Sequence, residues 1–92
     1  MNDSKSIEIR LFAGIREAMG MESIRIASDD LGDAKSAATL KEAILRLHPE
    51  LRLLVSASRV AVGNAFVADE DRLESALETG KTFALIPPVS GG

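Results

Sequence analysis

The chain has 92 residues, 46% of them hydrophobic, three Phe as its only aromatic residues, no cysteine and a formal charge of −3 at pH 7, which predicts one domain with one aliphatic core. The negative charge and the scarcity of aromatic rings argue against nucleic acid as a partner. Without cysteine the chain offers no thiol for a metal, a nucleophile or a persulfide, and without an apolar leader or a membrane-length apolar run it is expected to be soluble and cytoplasmic.

The first part of the chain predicts strand, helix and strand. "SIEIRLF" (residues 6–12) alternates apolar and polar side chains, as does "ESIRIAS" (residues 22–28), and this period of two is typical of strands. "AGIREAMG" (residues 13–20) fits a short helix that ends at its glycine. About ten residues are too few for a parallel crossover, so we expect an antiparallel pair. Residues 28–38 are mostly polar or small and are predicted to connect this strand to the next element.

The main helix is predicted in "TLKEAILRLHPEL", residues 39–51. Its apolar residues recur at helical spacing, and Thr39 and Glu42 form the pattern of a capping box at its start. The helix is expected to end near Pro49. "RVAVGNAFVAD" (residues 59–69) then predicts two strands around a Gly-Asn turn, "EDRLESALETG" a short helical turn closed by its glycine, and "KTFALI" (residues 81–86) the last strand. The expected class is α+β, with the helix on one face of a sheet.

Three features that suggest site chemistry have simpler explanations. "TGKT" at residues 79–82 resembles a phosphate loop, but the motif needs glycine where Ser75 stands and leads into a helix, not a strand. His48, the sole histidine, fits a helix end, and the acidic run Asp69–Asp71 lacks the spacing of a calcium loop. No metal site is therefore expected, and attention turns to the C-terminal "IPPVSGG".

The C-terminal segment is expected to be an extended, flexible tail, residues 87–92, after a domain of residues 1–86. Pro87 and Pro88 end the last strand and set the direction of the chain, and residues 89–92 can then span about 13–14 Å. Two glycines without Cβ atoms can enter a narrow channel and deliver the α-carboxylate of Gly92. Adenylation by another enzyme would activate that carboxylate, because this chain has no ATP site; a frayed end is the alternative.

Two motifs resemble those of a known family. "LFAGIREAMG" (residues 11–20) is similar to the Phe-Ala-x-x-Arg-Glu-x-x-Gly of the small subunits of molybdopterin synthase (MoaD), which are ubiquitin-like sulfur carriers, and "IPPVSGG" (residues 86–92) is similar to their ending. "VAVGNAFV" also resembles their third-strand region. The resemblance implies a β-grasp fold: a mixed sheet, the last strand central and parallel to the first, one main helix on one face and short extra helices.

The resemblance also implies a chemistry carried out by partners. An E1-like enzyme, using ATP and Mg²⁺, would adenylate Gly92, and a sulfur donor protein would convert it to a thiocarboxylate. The large subunit (MoaE-like), in a heterotetramer of two small and two large subunits, would then pass the sulfur to cyclic pyranopterin monophosphate. The chain itself would be a non-catalytic sulfur donor that binds no cofactor. The residues implied to line the inserted tail are Pro87, Pro88, Val89, Ser90 and Gly91, with Leu85 and Ile86 as apolar docking residues.

Two alternatives stay open on sequence alone. The tail also suits a ThiS-like carrier for a thiazole pathway or a ubiquitin-like modifier that joins Gly92 to a lysine. A non-catalytic β-grasp interaction module with an incidental Gly-Gly ending is the other alternative.

Overall fold

The computed structural model describes residues 6–88. Within them the chain forms five strands: β1 (Ser6–Leu11), β2 (Ser23–Ala27), β3 (Arg59–Val62), β4 (Ala65–Val67) and β5 (Phe83–Ile86). Four α-helices accompany them: α1 (Ala13–Met19), α2 (Ala37–Leu47), α3 (Arg52–Ala57) and α4 (Glu74–Thr79). None of the helices in this part of the chain has the length and apolarity needed to cross a membrane.

The strands form one mixed sheet in the order β2-β1-β5-β3-β4. β1 is antiparallel to β2 and parallel to β5, and β5 is antiparallel to β3 on its other side. The antiparallel pair through α1 and the central, parallel last strand are therefore confirmed. Together with α2 this is the β-grasp topology that the resemblance implied.

The core lies on one face of the sheet. Along β1 the residues alternate between exposed and buried, so that Ile7, Ile9 and Leu11 face inward, as the period of two predicts. α2 adds Leu40 and Ile44, which are at most 1% exposed and belong to the same hydrophobic cluster. The single aliphatic core predicted from composition is thus present.

The start of α2 corrects the predicted cap. The residue before the helix is Ser36, whose Oγ accepts a hydrogen bond from the Thr39 amide at 3.3 Å, while the Ser36 amide donates to Thr39 Oγ1 at 2.9 Å. Thr39 is therefore the third helical residue of the capping box, and the predicted pairing of Thr39 with Glu42 is wrong. The helix begins earlier because Ala37, 0% exposed, is buried in the core and extends the apolar face. It ends before Pro49, as predicted.

The second half of the chain follows the predicted elements with one addition. β3 and β4 form a hairpin in which Val62 pairs with Ala65 across a two-residue turn, and α4 ends at Gly80, whose φ of 71° is left-handed. The addition is α3, which buries Val55 fully. Residues 28–38 are also more ordered than a plain connection, because a 3-10 turn at Ser28–Leu31 buries Leu31.

Candidate functional site

The last strand leads the chain out of the middle of the sheet. β5 pairs with β1 on one side and with β3 on the other, and its final ladder pair joins Ile86 to Arg59. The next two residues, Pro87 and Pro88, have no backbone N–H, so the ladder cannot continue through them. Pro87 is buried and Pro88 is exposed. The chain therefore leaves the folded body between these two residues.

The rest of the predicted tail lies outside the described residues. It comprises Val89, Ser90, Gly91 and Gly92. The extended tail, its role as the segment inserted into a partner, the domain boundary after Ile86 and the carrier role of Gly92 therefore stay predictions. The structure describes how the tail is attached: β5 is paired on both sides as far as Leu85, and Ile86 is paired with Arg59 of β3.

The two predicted apolar docking residues lie on opposite faces of the sheet. Leu85 is 0% exposed and belongs to the core cluster, so its side chain has no surface to offer a partner, and its place among the docking residues is corrected. Successive side chains in a strand point to opposite faces, so Ile86 lies on the face away from the core. Ile86 is half-buried and remains available at the edge of the exit.

Ile86 belongs to an apolar patch on the open face of the sheet, which we define as Ala61, Phe66, Ala84 and Ile86. Ala61 lies directly opposite Ala84 on one side and Phe66 on the other, so these three side chains share a face. The Phe66 residue is 50% exposed. A shallow cavity of about 200 Å³ beside it is lined by Ala61, Phe66 and Ile86, together with residues of the β3–β4 turn.

Sequence reasoning missed Phe66, although a signal was present. In the register of the hairpin Val60 pairs with Val67 on the core side, which places Phe66 on the open side. Because Ala61 and Ala84 lie beside it on the same face, Phe66 belongs to a continuous apolar patch, which is more informative than a single exposed apolar residue.

A cation covers part of this patch. The guanidinium carbon of Arg59 lies 4.4 Å from the centre of the Phe66 ring, within the range of a cation–π interaction. Arg59 also lies directly opposite Ile86 in the β3–β5 ladder. The apolar patch therefore has a positive charge at the edge nearest the tail.

The residues considered for other chemistry take part in local structure. His48 Nδ1 lies 3.6 Å from Glu50 Oε2 at the end of α2, and the Asp71 carboxylate accepts a 2.9 Å hydrogen bond from the Ala68 amide. Residues 80–82 join helix α4 to strand β5, the reverse of the strand-to-helix order of a phosphate loop. They border a cavity of about 440 Å³ at the start of β5, the end opposite to the prolines.

The β-grasp sheet, with its central last strand leading straight to the Pro-Pro segment, defines a ubiquitin-like protein. The chain belongs to the ThiS family, whose family model matches residues 9–92. It is 31% identical over 86 residues to a molybdopterin synthase sulfur carrier subunit of Chlamydomonas reinhardtii, covering 94% of this chain and 98% of the relative. A protein of the same description from Dictyostelium discoideum is 29% identical over 90 residues, covering 97% and 99%.

A solved structure of another protein has the same fold. The crystal structure of small archaeal modifier protein 1 of Haloferax volcanii matches with a TM-score of 0.69 and 26% identity, covering 91% of this chain and 98% of that chain. The resemblance to sulfur carriers of molybdopterin synthase and the β-grasp fold are thus confirmed.

Proposed function

We propose that this chain is the sulfur-carrier subunit of a molybdopterin synthase, acting in the cytoplasm. The observation that carries the proposal is the position of "PPVSGG": the segment follows the central strand directly, and relatives of matching length are sulfur carrier subunits. The chain acts as a substrate-like donor, and the active site belongs to the large subunit.

The proposed chemistry takes place on the α-carboxylate of Gly92. In an E1-like enzyme, with Mg²⁺ and ATP, the carboxylate oxygen attacks the α-phosphorus, so that a P–O bond forms and pyrophosphate leaves. A sulfur donor then supplies sulfur at the oxidation level of hydrosulfide, which attacks the acyl carbon and displaces AMP. The product is a thiocarboxylate. Since the chain has no cysteine, the backbone end is the place where it can hold sulfur covalently.

The proposed partner, the large subunit, receives the tail and contacts the apolar patch. Residues 89–92 span at most about 13–14 Å, so a protein that holds Gly92 in its active site must approach the end of β5 closely. The patch lies there, with Ile86 immediately before Pro87 and Phe66 half exposed beside it. An exposed aromatic ring next to half-buried apolar residues offers apolar surface that a partner can cover.

The assembly is proposed to be a heterotetramer of two small and two large subunits. The product of sulfur transfer to cyclic pyranopterin monophosphate is a dithiolene, which contains two sulfur atoms. Each thiocarboxylate supplies one sulfur, so two charged carriers are consumed for each product. Pro87 and Pro88 would aim the tail, and Val89, Ser90 and Gly91 would line its path.

The activation step has a direct test. The chain is coexpressed with the E1-like enzyme and sulfur donor from its own source, and its intact mass is compared with that of a variant lacking Gly92. We expect a mass increase equal to the exchange of one oxygen for sulfur in the full chain only. An unchanged mass, where the Chlamydomonas relative is charged in parallel by its own enzymes, would count against the proposal.

A protein-modifier role is the second candidate, favoured by the 26% identity to small archaeal modifier protein 1. It uses the same activated Gly92, with a lysine amine in place of sulfur as the nucleophile. Affinity purification of the tagged chain from its own cells, followed by mass spectrometry, would detect branched peptides that end in Gly91–Gly92. Such adducts at defined lysines would support conjugation, and restored growth of a thiazole-deficient strain would support a ThiS-like role.

A further inference from the structure

Arg59 lies at the edge of the proposed docking surface that is nearest to the tail. It is exposed at the start of β3, its guanidinium lies 4.4 Å from the Phe66 ring centre, and it pairs directly with Ile86, the last residue of β5. A guanidinium held over a ring keeps its planar N–H groups directed outward at its edge. The ring therefore holds this cation in place at the rim of the apolar patch.

The charge of Arg59 is not neutralised within the described part of the chain. The ion pairs found among residues 6–88 are formed by Arg16, Lys41, His48 and Arg72 with nearby carboxylates, and Arg59 is not among them. A guanidinium binds a carboxylate best through two parallel N–H···O bonds, and no carboxylate among residues 6–88 forms an ion pair with Arg59. Arg59 is thus positioned to accept a carboxylate from another molecule.

We propose that Arg59 is a specificity-determining residue that recognises a carboxylate of the large subunit while Phe66 contacts an apolar side chain beside it. This inference rests on the proposed function. Although the chain carries a net charge of −3, Arg59 and Arg10 border the apolar patch and attract a partner carboxylate to this face. Arg59 lies opposite Ile86, beside the tail, and Arg10 lies opposite Ala84. The contact therefore fixes the orientation in which the tail, residues 87–92, approaches the active site.

The test measures the dissociation constant between the full chain and the purified large subunit at low and high salt. The variants are Arg59→Glu, Arg59→Lys and Arg59→Gln, and the matched control is Arg52→Glu. Arg52 is also exposed, begins α3, and its substitution changes the net charge equally. Thermal unfolding of each variant checks that it is folded. If Arg59→Glu is unstable, Arg59→Gln replaces it in the binding measurement.

We expect Arg59→Glu to raise the dissociation constant about tenfold or more at low salt, because it replaces an attractive pair by a repulsive one. Arg52→Glu should change the dissociation constant by less than about threefold, because Arg52 is an exposed charge in α3, which packs against α1 and α2. Arg59→Lys keeps the positive charge but loses the paired N–H donors of the guanidinium. Its dissociation constant should lie between those of the wild-type chain and Arg59→Glu. The effect of Arg59→Glu should shrink at high salt.

Three outcomes overturn the inference. If the wild-type chain binds the large subunit and Arg59→Glu behaves like Arg52→Glu, Arg59 does not set specificity, while the proposed function stands. If the wild-type chain does not bind the large subunit, the proposed function fails and this inference fails with it. Sedimentation of the chain alone distinguishes a further case: a dimer that Arg59→Glu dissociates makes a second copy the occupant of this surface, which also overturns the proposal.

Discussion

Replacing Leu85 and Ile86 separately by alanine distinguishes folding from docking, because these neighbours lie on opposite faces of β5. Leu85 is 0% exposed and lies in the core, whereas Ile86 is half-buried beside the exit of the tail. We expect Leu85→Ala to destabilise the domain and leave binding by the folded protein intact. Ile86→Ala should fold well and bind the large subunit more weakly.

The magnitudes follow from burial. Replacing a buried leucine by alanine lowers the free energy of unfolding by about 2–5 kcal/mol. For a fully buried residue of the central strand we take about 3 kcal/mol. In a domain of this size each 1 kcal/mol lowers Tm by about 4–8 °C, so Leu85→Ala should lose about 12–24 °C. Burying a whole isoleucine side chain contributes about 1.5–3 kcal/mol, so alanine at the half-buried position should cost about 1 kcal/mol.

Urea unfolding followed by far-UV circular dichroism gives the free energy of unfolding of each variant from its midpoint and slope. Titration with the large subunit, at a temperature where both variants are folded, gives the dissociation constants. The assignment of faces is refuted if Ile86→Ala is the more destabilising variant, or if fully folded Leu85→Ala binds more weakly than Ile86→Ala does.

Two further substitutions test the local structure by urea or thermal unfolding. Ser36→Ala removes the side chain that caps α2 and should cost about 1 kcal/mol, whereas Ser56→Ala, exposed in α3, should cost close to nothing; equal losses would contradict the cap. Gly80→Ala places a Cβ on a residue with φ of 71° and should cost about 1–2 kcal/mol. Gly14→Ala, within α1 and without positive φ, should stabilise slightly, and a Gly80 variant as stable as this control would show that Gly80 is not held left-handed.

Most of the fold could be predicted from local patterns. The alternation in β1 and β2 and the helical spacing in α2 are set by residues within one element, so the sequence alone indicates them. The start of α2 could not be placed in the same way, because Ser36 and Thr39 both suit a cap and the choice depends on the burial of Ala37. α3 was missed because it ends at Ser58 and so lacks the closing glycine that marked the ends of the equally short α4 and of α1 in the sequence.

The site was predictable only in part, because its faces depend on pairing between distant strands. In "FALI" large apolar residues lie on both faces of the strand, Phe83 and Leu85 on one and Ile86 on the other, so the sequence did not show which of them faces outward. The contact of Arg59 with Phe66 requires the register of the β3–β4 hairpin as well. Neither residue carries a motif, so their proximity appears only in the folded sheet.

The measurement that most directly tests the sulfur-carrier role is a single turnover of sulfur transfer. The chain, prepared with a thiocarboxylate at Gly92, is mixed with the large subunit and cyclic pyranopterin monophosphate, and the intact mass of the carrier and the formation of the dithiolene product are followed together. We expect the mass to return to that of the carboxylate as product forms, and only when both components are present. A thiocarboxylate that persists beside the large subunit and its substrate would show that the chain is not the sulfur donor.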